Sequence, residues 1–377
     1  MAPPVFSKGI ASRRTSHRRS VHSKARRLSW FLAGFLVVCG EVPLPAEEEW
    51  KDISSPLLER LTREDPKSEW PGGCSGVVVN RLTGAVTLKV VGRGLWRSPD
   101  GGENWKRVDQ ETVGGRDETG WATTNDQNAP DRIASFSLDG TAAWTTDGVK
   151  WKTLTGLGRN WDFGSVDWSA AAPATIIAAK HETDPPGEVY ASADGGATWR
   201  QLSIRLAGKP DQLSMCGALG ATTFIYSNGD GVLRSADSGA SWSKVLAATP
   251  QTRIPVFFNG AHYLGTANGL IVSHDQGATW HKQGSDVDVW LGPFFGATAS
   301  EVLVVGRNGA FLSTDAGKQW TKAADLHPNL KGFSFGPNWF GCYAWDPVHH
   351  FLYASCMGHP VFRIPLARSP EPARKPQ

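Results

Sequence analysis

Most of what this chain can fold into is set by a phrase that it repeats. "SPDGGENW" (Ser98–Trp105), "SADGGATW" (Ser192–Trp199), "SADSGASW" (Ser235–Trp242), "SHDQGATW" (Ser273–Trp280) and "STDAGKQW" (Ser313–Trp320) share one pattern, and "TTDGVKW" (Thr145–Trp151) is a copy short by one residue. An apolar run precedes each copy ("GLWR", "EVYA", "GVLR", "GLIV", "GAFL"), and a short strand-like run follows it ("KRV", "RQL", "SKVL"). Each unit therefore reads as strand, tight turn, strand. A carboxylate in such a turn accepts hydrogen bonds from the turn's own N–H groups. Glycine supplies the positive φ that the turn needs, and the indole buries a large apolar area beneath it. Asp100, Asp147, Asp194, Asp237, Asp275 and Asp315 are accordingly assigned to folding rather than to chemistry.

The repeated Trp residues fall at 105, 151, 199, 242, 280 and 320, a spacing that suits one four-stranded propeller blade per repeat. Composition agrees: Gly 42, Pro 24 and Trp 17 in 377 residues point to many strands and turns. The pattern S-x-D-x-G-x-[TS]-W is the Asp-box. Over about residues 47–367 the chain resembles the Asp-box (BNR) repeat propellers, which include sialidases, sortilin-type receptors, xyloglucan-specific endoglucanases and photosystem II assembly factors.

After the sixth box, "NWFGCYAWDPVHHFLYASCMGHPVFRIPL" provides three further strands of a seventh blade that lacks its outer strand. "EWKDI" (Glu49–Ile53) matches "TWRQL" and "SWSKV" and is expected to supply it, with Trp50 as the seventh equivalent Trp. The expected fold is all-β: a seven-bladed propeller of four-stranded antiparallel blades, closed by strand 49–53 so that no sheet edge is left open. The segment from Ser54 to Gly73 crosses to blade 1 with one short helix.

Residues 1–46 read as an export signal. Eight basic residues precede the apolar run "LSWFLAGFLVVCG", and small residues lead to a polar start near Ala46. The run is short for a membrane span; a retained anchor is the alternative. Without residues 1–46, which carry eight basic residues and Glu41, 31 basic residues face 35 acidic ones, so no electrostatic footprint for nucleic acid remains. The expected protein is an exported monomer spanning residues 47–367, with no membrane span and a disordered tail at 368–377. Cys342 and Cys356 flank "YAWDPVHHFLYAS" almost symmetrically. They are candidates for a disulfide across a hairpin, or for two buried thiols.

Because the boxes join third to fourth strands, a binding site is expected on the opposite, upper face. There the first strands begin and the second strands turn into the third. Candidates for that face are Trp121 and Asp126 at blade 2, Trp161 and Asp162 at blade 3, Arg253 at blade 5, Asp288 and Trp290 at blade 6, and Trp339 at blade 7. His181 and Asp184 join them from the long turn "KHETDPPGE" of blade 3. The four Trp rings either form a ligand-binding rim or wedge between blades.

Asp162, Asp184, Asp126 and Asp288 are the carboxylates from which a glycosidase pair could be drawn. A sialidase-type site would need a Tyr/Glu pair, which cannot be placed here. No metal or cofactor signature stands out. The leading expectation is non-catalytic binding of a protein segment or glycan. The alternatives are a glycoside hydrolase acting on a β-linked polysaccharide and an assembly-factor-like propeller. Fold alone does not decide among them.

Overall fold

The computed structural model describes residues 49–156, 158–183, 187–204, 214–328, 330 and 341–366. The expected signal segment and tail lie outside them. The described residues form seven four-stranded antiparallel sheets, one per blade of a propeller. Blades 1 to 6 each use four consecutive strands. In blade 1 these are Cys74–Val79, Val86–Val90, Gly94–Ser98 and Lys106–Arg107. Blade 7 combines Gly341–Asp346, Phe351–Cys356 and Phe362–Pro365 with Lys51–Asp52, which lies antiparallel to Phe362 and Arg363. The Ile53 N–H extends this contact to the Val361 carbonyl (3.0 Å).

In every blade the outermost strand has no buried position. The first strands Cys74–Val79, Trp161–Val166 and Gly341–Asp346 are buried at every position, whereas the fourth strand Arg200–Gln201 is exposed throughout. Inner strands are covered on both faces by neighbouring blades, so they read as continuous runs of apolar and small residues rather than as an alternation. Glycine marks the tightest approaches. A Cβ on Gly164 would come within 2.2 Å of the Phe136 ring of blade 2, and one on Gly217 within 2.5 Å of Pro255 of blade 5.

The boxes are built as their sequence implies. In "SADGGATW" the Ser192 hydroxyl donates to Asp194 Oδ1 (2.8 Å) and accepts from the Gly196 N–H (2.8 Å). Thr198 donates twice to the same carboxylate, from its backbone N–H to Oδ1 (2.9 Å) and from its hydroxyl to Oδ2 (2.6 Å). Asp100, Asp237, Asp275 and Asp315 repeat the Ser-to-Asp bond and the amide bond four residues on, and Asp147 does so in its shorter turn through the Val149 and Lys150 amides. Five of the six box indole N–H groups divide into two kinds, and that of Trp320 is buried without a hydrogen-bond partner among the described residues. Those of Trp199, Trp242 and Trp280 donate back into their own turns, at the carbonyls of Gly196, Gly239 and Gly277. Those of Trp105 and Trp151 reach the neighbouring blade, at the carbonyls of Ile53 (3.2 Å) and Val108 (2.8 Å).

The crossover contains one helix, Ser55–Glu64, with a proline in its first turn. Asp52 caps it, accepting from the N–H groups of Ser54 (2.9 Å) and Ser55 (3.0 Å). Leu57 and Leu61 bury its inner face. No helix among the described residues is long and apolar enough to cross a membrane.

Of the two readings of Cys342 and Cys356, a cross-hairpin disulfide or two thiols, the structure has the thiols. Cys342 pairs in register with Ser355, and Cys356 pairs with Gly341. That one-residue offset turns the two side chains to opposite faces of the sheet, and both thiols are free. Burial raises the Cys342 thiol well above its ordinary value and pushes that of Cys356 up to about 11.

Two predictions follow from the ring and its turns. Trp50 is half-buried, edge-on to His327 (5.5 Å) and Tyr343 (6.4 Å). If residues 49–53 close the ring, Trp50→Ala should lower unfolding free energy by about 2 kcal/mol; an unchanged denaturant midpoint would argue against closure. The second concerns acid. Hydrogen bonds from Thr198 and Ser192 hold the Asp194 carboxyl at about 2, and those from Thr279 and Ser273 hold Asp275 there too, against an ordinary 3.8. The unfolded chain therefore binds more protons than the folded one in this window, and stability should fall as pH drops from about 4 to about 2. An Asp194→Asn, Asp275→Asn double variant should show a shallower acid slope in pH-dependent chemical unfolding.

Candidate functional site

Hydrogen bonds between loops identify the two ends of the channel. Box turns bond to the turns between first and second strands: Gly195 N–H to Ala174 O, Ser238 N–H to Thr222 O, and Ala316 N–H to Ser300 O. At the other end, segments leading into first strands bond to turns between second and third strands. Gly92 N–H meets Gly115 O, Arg116 and Leu138 exchange both of their backbone bonds, and His181 N–H meets Asn160 O. The second set is the upper face.

The channel is closed at the box end. The turn of blade 2, residues 126–132, crosses the axis. Arg81 of blade 1 donates to the Gln127 carbonyl and to Gly296 O of blade 6 (2.7 Å). Gln127 Oε1 accepts from the Phe295 N–H (3.2 Å). Asn128 donates to Phe257 O of blade 5 (3.2 Å) and accepts from the Asn259 N–H (3.0 Å). Above this floor lies a cavity of about 70 Å³ lined by first strands of six blades.

Asp126 was expected on the upper face and lies in this floor. The first strand of blade 2 is Thr123–Asn125, so "DQNAPDR" follows that strand instead of preceding it. Asp126 is fully buried, accepting from Arg132 (2.8 Å) and from the Asn128 N–H (2.8 Å).

The other expected residues sort by burial and partners. Asp288 does sit on the upper face, but its oxygens are occupied by Gln251 Nε2 (2.8 Å), Trp290 Nε1 (3.0 Å) and the N–H and Nε of Arg307 (3.0 and 3.2 Å). Trp161 is 2% exposed and packs on Trp199 and Tyr190 within its own blade. Trp121 and Trp290 are likewise buried, at 5% and 8% exposure. Arg253 is buried, and its carbonyl accepts from the Cys216 N–H. Asp184 and Trp339 lie outside the described residues.

Asp162 and His181 do come together. His181 Nδ1 is hydrogen-bonded to Asp162 Oδ1 (2.6 Å), while its Nε2 faces Glu182 Oε1 at 3.6 Å. The sequence reading missed the groups around them. Glu118, in the segment leading into blade 2, couples electrostatically to His181 and lies 3.5 Å from Arg116 Nε. Arg116 also pairs with Asp139, and its guanidinium lies 4.9 Å over the ring of Trp70, which is 69% exposed. A signal for these residues was present in "GGRDETGW": a charged run directly before a first strand, equivalent in position to "RNWD" of blade 3. Asp117, between Arg116 and Glu118, points the other way, into a buried pair with Lys89 Nζ (2.7 Å) that joins blade 1 to blade 2.

The network has a marked electrostatic character. Burial raises Glu118 above the ordinary carboxyl value, with Asp162 and Glu182 adding to the effect and His181 and Arg116 opposing it. Burial alone would lower His181, but the bond to Asp162 and the charges of Asp162, Glu118 and Glu182 outweigh it and raise the imidazole above its ordinary 6.5. The folded protein thus favours the imidazolium. The stability this contributes is complete below about pH 6.5 and is lost as pH rises through the raised value. The wild-type melting temperature should therefore fall more steeply than that of His181→Gln between about pH 6 and 9. Parallel profiles would remove the charged His181–Asp162 pair from the account.

Comparison with known proteins gives the following. The BNR/Asp-box repeat family matches residues 271–282, within the fifth blade. No curated protein matches the chain. Among solved structures, the chain is similar to an ancestral GH74 enzyme, with 15% identity and a TM-score of 0.43 over 75% of this chain and 43% of that one. It thus spans less than half of that enzyme's length. It is also similar to YCF48 bound to D1 peptide, with 14% identity and a TM-score of 0.41 over 78% and 93% of the two chains. YCF48 from Cyanidioschyzon merolae gives 14% identity and a TM-score of 0.40 over 84% and 98%. By its repeats, their hydrogen-bonded turns and its seven sheets, the chain is a seven-bladed propeller that carries BNR/Asp-box repeats.

Proposed function

We propose that this propeller is a non-catalytic binding module that holds an extended protein segment on the upper face of blades 1 to 3. The observation that carries the reading is Trp70, a large exposed ring beside the Arg116–Glu118–His181–Asp162–Glu182 network. It offers a peptide an apolar contact, guanidinium donors and carboxylate acceptors within one patch. The N-terminal basic and apolar segment supports action outside the cytoplasm.

Two features favour a protein segment over a sugar. Glycan rims use open aromatic faces, whereas Trp121, Trp161 and Trp290 are buried and Arg116 covers one face of Trp70. A hydrolase needs two carboxylates free to act across a cleft. Asp126 and Asp288 are saturated with hydrogen bonds, and Asp162 is bound to His181.

Selection of a phage-displayed peptide library on the purified propeller tests the reading. Enriched peptides should bind the Trp70→Ala and Asp162→Asn variants at least about tenfold more weakly, a loss of about 1.4 kcal/mol. Equal binding to all three proteins would place the peptide elsewhere. Release of reducing ends from plant or bacterial polysaccharides, abolished by Asp162→Asn, would establish the hydrolase instead.

A further inference from the structure

The charged network on the upper face contains a histidine whose two ring nitrogens each meet a carboxylate. His181 Nδ1 lies 2.6 Å from Asp162 Oδ1, and Nε2 lies 3.6 Å from Glu182 Oε1. A neutral imidazole has one N–H and one lone pair. If it donates to Asp162, it turns the lone pair on Glu182; the other tautomer turns the lone pair on Asp162. Only the imidazolium, with two N–H groups, suits both contacts. The geometry therefore ties the partner of Glu182 to a single proton.

The two carboxylates fare differently when that proton leaves. The Asp162 side chain is 11% exposed and keeps the Nδ1–H as its donor. The Glu182 side chain is 60% exposed and loses its donor to solvent. Among the described residues, the cations of the surrounding elements are engaged elsewhere. In the segment leading into blade 2, Arg116 is shared between Glu118 (3.5 Å) and Asp139. In the segment leading into blade 3, Arg159 donates to the Asp139 carbonyl. Lys180, at the end of the second strand of blade 3, lies 5.9 Å over the Tyr190 ring, and the Tyr190 hydroxyl donates to Glu188 (2.9 Å).

The charge balance then points to the kind of group that Glu182 receives. With His181 neutral, Glu118, Asp139, Asp162 and Glu182 stand against Arg116 and Arg159, while Lys180 and Glu188 add one charge of each sign. Burial raises the Glu118 carboxyl, but a negative excess remains even with Glu118 protonated. Such a surface favours a cation from a partner.

Building on the peptide reading above, we infer that the captured segment presents a Lys or Arg side chain to Glu182, in exchange for the proton of His181. The two cations exclude one another at the same carboxylate. Binding expels the proton, so by linkage the affinity rises with pH. In acid the imidazolium occupies Glu182 and weakens capture.

The test repeats the peptide selection on the full-length protein above neutral pH. The enriched consensus is synthesised N-acetylated and free of His, once with its basic residue and once with norleucine in that place. Wild-type affinity for the basic peptide should rise at least fivefold or so from about pH 6 to about pH 8, with release of up to about one proton per peptide, counted by calorimetry in buffers of different ionisation heat. The norleucine peptide and the His181→Gln variant should each lose that slope. If the variant does not fold, the proton count on wild type decides the same point. Enriched peptides that lack a basic residue, or that bind independently of pH, would overturn the exchange and leave the peptide reading standing. Equal binding of the basic peptide by wild type and Glu182→Gln would do the same. No enrichment at all would overturn both.

Discussion

Everything in this molecule depends on the inner strands being covered on both faces. A strand such as Cys74–Val79, buried at all six positions, cannot belong to a sheet with one solvated side. It needs a blade on either flank, and so does each of its equivalents. Close approach at the axis then demands small residues. Gly164 lies under Phe136 and Gly217 under Pro255 because any larger side chain would force neighbouring sheets apart. Polar groups caught in the same seams must bring partners with them, as Lys89 and Asp117 do. The Asp-box is the peripheral counterpart of this demand. It leads into the outer strand of blades 1 to 6 through a turn that satisfies its own backbone, so those outer strands can be short and exposed.

The fold was legible because its signal is local. A box specifies strand, turn and strand within about a dozen residues, and the bonds within the Ser192–Thr198 turn follow from the residue types alone. Legibility failed where a decision depended on register. Blade 2 has a shortened box and three-residue strands, so its first strand was placed too late. That single shift carried Asp126 to the wrong end of the channel and hid Glu118. The symmetric spacing of Cys342 and Cys356 likewise suggested a cross-strand pair, but spacing cannot say which residues lie opposite, and the offset is one residue.

The candidate site shows the same limit from another side. Asp162 and His181 were identifiable as upper-face residues because blade 3 is regular. That they bond to each other, with Glu182 close by, depends on how a turn folds back over a strand start. The Trp residues were ambiguous for a simpler reason. An indole at a strand start can face solvent or a seam, and pattern alone does not choose. Here the seams took Trp121, Trp161 and Trp290 and left Trp70, in the crossover, outside.

The turn of blade 2 also has a mechanical consequence. Its side chains end on backbone groups of blades 5 and 6, across the diameter of the ring. A wheel held together only around its circumference can ovalise, each joint giving a little. Gln127 and Asn128 act as a spoke, so a load on the blade 2 side is shared at once with the far side. The lower half of the barrel is thereby stiffened against the shear that an upper-face ligand would apply, and compliance is left to the loops that receive it.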